Sequence, residues 1–179
     1  VDLLTLATDA VHDAQSIAPQ RNITLEVFDG PGTPEVVGDE ARLRQVLGNL
    51  VANALQHTPV RAGITVRVGT VGNEAVLEVV DQGPGMDQQD AQRVFERFYR
   101  TDSSRTRSSG GTGLGLSIVD SLVHAHHGTV TVTTAPGRGC RFRVALPRVA
   151  DAAEHADDAD DFGDADDAEL VNPVLPERL

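Results

Sequence analysis

Lysine and tryptophan are absent from these 179 residues, which hold one cysteine, one tyrosine and five phenylalanines. All 15 basic side chains are therefore arginine. Without lysine the chain has no Walker-A loop, whose Lys lies on the phosphates, and no strand-three Lys of a eukaryote-type protein kinase. Schiff-base chemistry is excluded as well, because it needs a Lys amine. The lone Cys140 excludes an internal disulfide and a multi-cysteine zinc site. No apolar run approaches the ~20 residues of a membrane span and no signal peptide opens the chain, so it is expected to be soluble and cytoplasmic.

A basic surface is also missing. The formal charge is −12. Residues 150–179 hold 11 acids against Arg178 alone, and residues 1–149 hold 16 acids against 14 arginines. A nearly balanced body with an acidic tail does not suggest a nucleic-acid binder, which carries a basic patch or stripe. From Asp151 onward Asp and Ala recur without period, and Phe162 is nearly the only large apolar residue before Leu170. Too little apolar surface is available there to offset chain entropy. The expected organisation is one domain over 1–149 and an acidic, disordered tail over 150–179.

Within the body, apolar spacing predicts a helix over 3–19, capped by Asp2 and ended by Pro19. Ile23–Phe28 reads as a strand and Glu35–Val37 as a second, shorter one. Asp39 caps a helix over 40–57 whose core stripe runs from Leu43 to Ala54. Ile64–Val71 and Ala75–Val80 read as a hairpin about Gly72-Asn73. A short helix is expected over Asp87–Phe95, and another helix over about 113–126. Thr129–Thr134 and Arg141–Leu146 pair across a turn at Ala135–Gly139. The polar run from Tyr99 to Thr112 is long for a loop in a compact domain, which marks it as mobile or functional. Strand pairs beside single helices predict an α+β two-layer sandwich, one mixed sheet with about three helices on one face.

Three segments carry candidate chemistry. In Asn49-Leu50-Val51-Ala52-Asn53-Ala54-Leu55-Gln56-His57-Thr58, two amides four residues apart share a helix flank. They are either surface amides or a wall for a polar ligand or an ion's oxygen shell. In Val79-Val80-Asp81-Gln82-Gly83-Pro84-Gly85-Met86, a strand delivers a carboxylate beside glycines that admit close backbone approach. Asp81 there either closes an Asx turn or accepts from an exocyclic amine. In Gly110-Gly111-Thr112-Gly113-Leu114-Gly115-Leu116-Ser117, glycines open a helix and offer bare N–H groups to an anion. Leu116 stands where a dinucleotide fingerprint needs its third glycine.

In this order and spacing the three segments resemble the N box and the two glycine boxes of sensor histidine kinases. Val94-Phe95-Glu96-Arg97-Phe98-Tyr99-Arg100 resembles the family's F box, and His127-Gly128 with Gly137-Arg138-Gly139 its last glycine-bearing strand pair. The likeness covers about residues 1–147. It implies the Bergerat-type ATP-binding fold shared with type II topoisomerases, mismatch-repair ATPases and heat-shock chaperones. It implies ATP and Mg²⁺ as cofactors. Asp81 would bond the adenine amine, with Gly83 and Gly85 beside it; Asn53, helped more weakly by Asn49, would hold Mg²⁺; His57 would lie near adenine or ribose. Arg100, with Arg97, would reach the phosphates. Gly111, Thr112, Gly113, Leu114, Gly115 and Leu116 would form the lid hinge and the phosphate-facing helix start. Asn53 and Arg100 would carry the catalysis.

The family's phosphoacceptor motif is missing. His12-Asp13 is followed by Ala14-Gln15-Ser16 rather than a Thr-Pro pair, and reads as a solvent-side helix histidine. His124, His126 and His127 read as helix C-terminal residues suited to the dipole rather than metal ligands, and Cys140 as a small core residue. The resemblance therefore implies a bacterial kinase fragment, monomeric and unable to label itself. Its partners would be a dimerisation and phosphoacceptor domain of the same parent and a response regulator, the parent being dimeric and anchored in the cell membrane. Gln56 stands where the family often has Lys or Arg, which keeps a second reading open: a module that binds ATP without transferring phosphate.

Overall fold

The computed structural model describes residues 1–100 and 113–150. Helix α1 (Leu3–Ile17) starts where the Asp2 carboxylate accepts from the Leu4 N–H at 2.8 Å and the Thr5 hydroxyl at 2.7 Å. Its face of Leu3, Leu6, Ala7, Val11 and Ala14 is buried. Strand β1 (Ile23–Phe28) follows. Helix α2 (Glu40–His57) is capped by Asp39, which accepts from the Arg42 N–H at 3.1 Å. It buries Leu43, Val46, Leu47, Leu50, Val51 and Ala54. Strands β2 (Ile64–Val71) and β3 (Glu74–Asp81) form the hairpin about Gly72, whose φ is +55°. Helix α3 (Gln88–Arg93) is short and capped by Asp87. Helix α4 (Gly115–Ala125) leads into β4 (Thr129–Thr134) and β5 (Cys140–Pro147).

The strands form one sheet in the order β1-β2-β3-β5-β4. The β1–β2 pair is parallel and the others are antiparallel, so the sheet is mixed as expected. Register separates its two faces. Val66, Val79, Phe142 and Val132 are cross-strand partners, as are Val68, Leu77, Val144 and Val130, and this face packs against α1, α2 and α4. Fully burying each large side chain here contributes ~1.5–3 kcal/mol. The opposite face carries charge. Arg67 bonds Glu78 at 2.8 Å and Glu26 at 3.2 Å, and its guanidinium lies over the Phe28 ring.

One expected element is absent as such. Glu35–Val37 forms no sheet strand; it makes isolated bridges from Glu35 to Asp2 and from Val36 to Arg148. Pro34 has no N–H to extend a ladder. The segment instead clasps both flanks of the described body: Val36 accepts from the Val1 amino group at 2.7 Å, and Glu35 accepts from the Val149 N–H at 2.8 Å. No helix among the described residues is long and apolar enough to cross a membrane.

Candidate functional site

Asp81 ends β3, opposite Ile64 on one side and Cys140 on the other, and is 5% exposed. Its Oδ1 accepts from the Gly83 N–H at 2.9 Å and from the Cys140 N–H at 3.3 Å. The Asx turn and the inward-facing carboxylate therefore coexist, because both N–H groups go to one oxygen. Burial pushes the Asp81 carboxyl above the usual aspartate range, opposed by those two N–H groups, the Thr58 hydroxyl and His57.

The loop after Asp81 is clamped by glycines. Gly85 has φ +67°, and a Cβ there would run into the Ala135 carbonyl. Gly139 has φ +69°, and a Cβ there would run into the carbonyl of Asp81 itself. Pro84 accepts from the Gly137 N–H at 2.7 Å. The Thr134 hydroxyl accepts from the Met86 N–H at 3.0 Å and donates to the Gly139 carbonyl at 2.7 Å. The 135–139 turn thus holds the 82–86 loop, and with it the carboxylate.

The last turns of α2 lie beside this loop. His57 is half-buried and near enough to Asp81 to favour its ionised form. Thr58 caps the helix, and Arg21 donates to the carbonyls of Thr58 at 2.8 Å and Leu55 at 3.3 Å, satisfying the helix end. Further up the helix, Asn49 Nδ2 donates to the Gly115 carbonyl at 3.3 Å, joining α2 to the start of α4. Asn53, one turn on, is half-buried.

The long polar run falls mostly on residues 101–112, outside the described residues. Its flanks are tied together: Phe98 donates its N–H to the Gly113 carbonyl at 2.9 Å, with φ +61° at Phe98 and +71° at Gly113. Helix α4 then begins after Leu114, which makes no side-chain cap.

A fold of this topology with a buried carboxylate at a strand end has recognisable relatives. Residues 38–150 match the family of histidine kinase-, DNA gyrase B- and HSP90-like ATPases. The chain belongs to that family. It is 47% identical over 148 residues to the probable sensor histidine kinase TcrY of Mycobacterium tuberculosis, covering 82% of this chain and 30% of TcrY. It is 34% identical to the sensor-like histidine kinase SenX3 of Mycolicibacterium smegmatis, covering 87% of this chain and 40% of that protein. The chain thus spans well under half the length of these relatives. Among solved structures, the mycobacterial sensor histidine kinase MprB aligns with a TM-score of 0.71 at 31% identity, over 84% of this chain and 99% of that one. Full-length ShkA in complex with AMPPNP aligns with a TM-score of 0.70 at 30% identity, over 84% of this chain and 31% of that one.

In this histidine-kinase-like ATPase fold, the residues singled out from sequence fall in three places. Asp81, Gly83, Gly85 and His57 meet at the β3 end. Asn49 meets the α4 start, while Gly113, Leu114 and Leu116 are half-buried at that helix end. Arg97, exposed, and Arg100, half-buried, lie on the segment following α3. Gly111 and Thr112 lie outside the described residues. A nucleotide and a hard cation fit this arrangement. Asp81 Oδ2, unlike Oδ1, takes no backbone N–H among the described residues, and Asn49 commits its amide nitrogen while keeping an oxygen donor of the kind Mg²⁺ accepts.

The sequence reading missed three supporting residues: Thr58, Thr134 and Gly139. Only Gly139 carried a signal, as a glycine beside a turn. Of the histidines at the end of α4, His124 and His126 are hydrogen-bonded. His126 places Nδ1 2.7 Å from the Leu122 carbonyl and accepts from the Asp39 N–H through Nε2 at 3.1 Å. Cys140 is half-buried against the core, and burial pushes its thiol up.

Proposed function

We propose that residues 1–149 form the catalytic domain of a sensor histidine kinase. It binds Mg·ATP between α2 and residues 99–112 and donates the γ-phosphate to a histidine on a separate dimerisation domain of its parent, for relay to a response regulator. The observation that carries this reading is the buried Asp81 carboxylate, held by two backbone N–H groups in a glycine-lined loop. An ionised carboxylate selects an exocyclic amine over a carbonyl, and so adenine over guanine.

The remaining roles are those that the resemblance to the family implies. Asn53, with the free oxygen of Asn49, would hold Mg²⁺, which neutralises phosphate charge when bound. His57 would flank the base or ribose. The N-terminus of α4, from Gly113 to Leu116, would face the phosphates, with Gly111 and Thr112 at the hinge before it. Arg100 and Arg97 would supply the cationic charge that a lysine-free chain must take from arginine. Residues 150–179 would be an appended acidic tail, and the domain would act on the cytoplasmic side of a membrane-anchored, dimeric parent.

Gln56 supports a second reading, a module that binds ATP without transfer. A radiolabel gel with three lanes separates the two: the chain alone, the chain with its parent's dimerisation domain, and Asn53→Ala with that domain. Acid-labile label is expected only in the second lane, on the dimerisation domain. A blank second lane with ATP binding confirmed favours the non-catalytic module. Strong label in the first contradicts the fragment reading.

A further inference from the structure

Thr58 sits where α2 stops, and its main chain is pinned on both sides. Its N–H donates to the Ala54 carbonyl at 3.0 Å, and its carbonyl accepts from Arg21 at 2.8 Å. Thr58 is 5% exposed, and its Oγ1 is buried without a complete hydrogen bond among the described residues. Buried hydroxyls are ordinarily paired, so a lone one needs a reason. Helix capping does not supply it, because the cap is made by the backbone and by Arg21.

What surrounds the hydroxyl does. A Cβ built on Gly83 would lie 3.4 Å from Thr58 Oγ1 and 2.8 Å from Asp81 Oδ1, so hydroxyl, carboxylate and loop converge on one point. Both backbone donors reach Oδ1, which leaves Oδ2 as the oxygen available to a base. The hydroxyl already favours the ionised carboxylate, though it falls short of full bonding geometry. Bonds of this kind are often long in ligand-free sites and tighten when ligand excludes water.

We propose that Thr58 is a positioning residue for nucleobase recognition: its hydroxyl is the third donor to the Asp81 carboxylate, turning it toward the base. This rests on the reading of Asp81 as the adenine anchor. The other titratable groups about the carboxylate are His57 at the end of α2 and the Cys140 thiol on β5. Both are unchanged in the comparison that tests the idea.

The test follows the Asp81 carboxyl carbon by NMR across pH in the 179-residue chain, unsubstituted and as Thr58→Val and Thr58→Ser. Affinity for a non-hydrolysable ATP analogue is measured over the same range. Thr58→Val, which keeps the shape and removes the donor, is expected to raise the Asp81 midpoint. It should shift the acid limb of nucleotide binding upward with it and weaken binding by about tenfold, the scale of a hydrogen bond to a charged group. Thr58→Ser should restore all three. If Thr58→Val does not fold, Thr58→Ala provides the same comparison. An unmoved midpoint, or affinity lost equally at every pH, reduces Thr58 to packing and overturns the proposal. If the unsubstituted chain binds no nucleotide while its Asp81 midpoint titrates normally, the nucleotide-site reading itself fails, which is a separate outcome.

Discussion

Asn49 of α2 donates its side-chain amide to the carbonyl of Gly115, the first residue of α4, across 3.3 Å. The helix that carries the amide pair is thereby fixed to the helix that receives the end of the glycine-rich segment. A residue read from sequence as a weak metal ligand is thus also a structural tie.

Asn49→Ala removes that tie. The expected loss is ~1 kcal/mol, a neutral side-chain bond to backbone, or ~2–4 °C in melting temperature for a domain of this size. Asn49→Asp should cost more, since a carboxylate would face a carbonyl oxygen. Thermal melts without nucleotide check both, and an unchanged melt for either would show that the bond contributes nothing.

Asp81 gives a prediction whose sign depends on pH. Its folded carboxyl lies above the ordinary value of 3.8, chiefly through burial. Between the ordinary and the raised value the folded chain binds more protons than the unfolded one, so stability falls as pH rises through that window. Above it, the buried ionised carboxylate is a standing cost. Asp81→Asn should therefore raise the melting temperature of the nucleotide-free chain at pH 7, with the gain shrinking as pH falls toward 4. Melts at several pH values decide it; a lower melting temperature at pH 7 would mean the ionised form is favoured by its partners despite burial.

Two glycines predict opposite outcomes. Gly48 lies inside α2 with open space where a Cβ would go, so Gly48→Ala should stabilise by ~0.5–1 kcal/mol through helix propensity. Gly139 has φ +69°, and its Cβ would strike the Asp81 carbonyl, so Gly139→Ala should destabilise and displace the carboxylate together. Urea unfolding of both variants tests the pair.

On the sheet face away from the helices, Glu78 is 5% exposed and bonded at 2.8 Å to Arg67, whose side chain is 30% exposed. Arg67→Ala strands that carboxylate, at an expected cost of ~1–3 kcal/mol. Arg67→Ala together with Glu78→Gln should recover part of the loss in a double-mutant cycle. Strictly additive losses would deny the pairing.

The fold was legible wherever period and caps agreed. Helix α2 over Glu40–His57 and strand β2 over Ile64–Val71 stand where apolar spacing, Asp39 and the Gly72 turn put them. Glu35–Val37 misled because alternation does not reveal whether a partner strand exists. At the site, Asp81 and its glycines announced themselves by local composition. Thr58 and Thr134 did not, and Gly139 showed only as a glycine beside a turn, because their roles arise between segments far apart in sequence: the Cys140 N–H reaches Asp81 across 59 residues, and Thr134 takes the Met86 N–H across 48. The bond from Asn49 to Gly115 spans 66 residues and is equally invisible to a local reading.

The central claim is that this fold reads adenine through Asp81. Calorimetric titration of the 179-residue chain with Mg·ATP and with Mg·GTP, repeated on Asp81→Asn, tests it most directly. The account predicts ATP binding well above GTP binding, and at least tenfold weaker ATP binding in the variant, from the loss of a charged hydrogen bond of ~1.5–3 kcal/mol. Equal affinity for the two nucleotides, or an Asp81→Asn chain that binds ATP as tightly as the unsubstituted one, would contradict it.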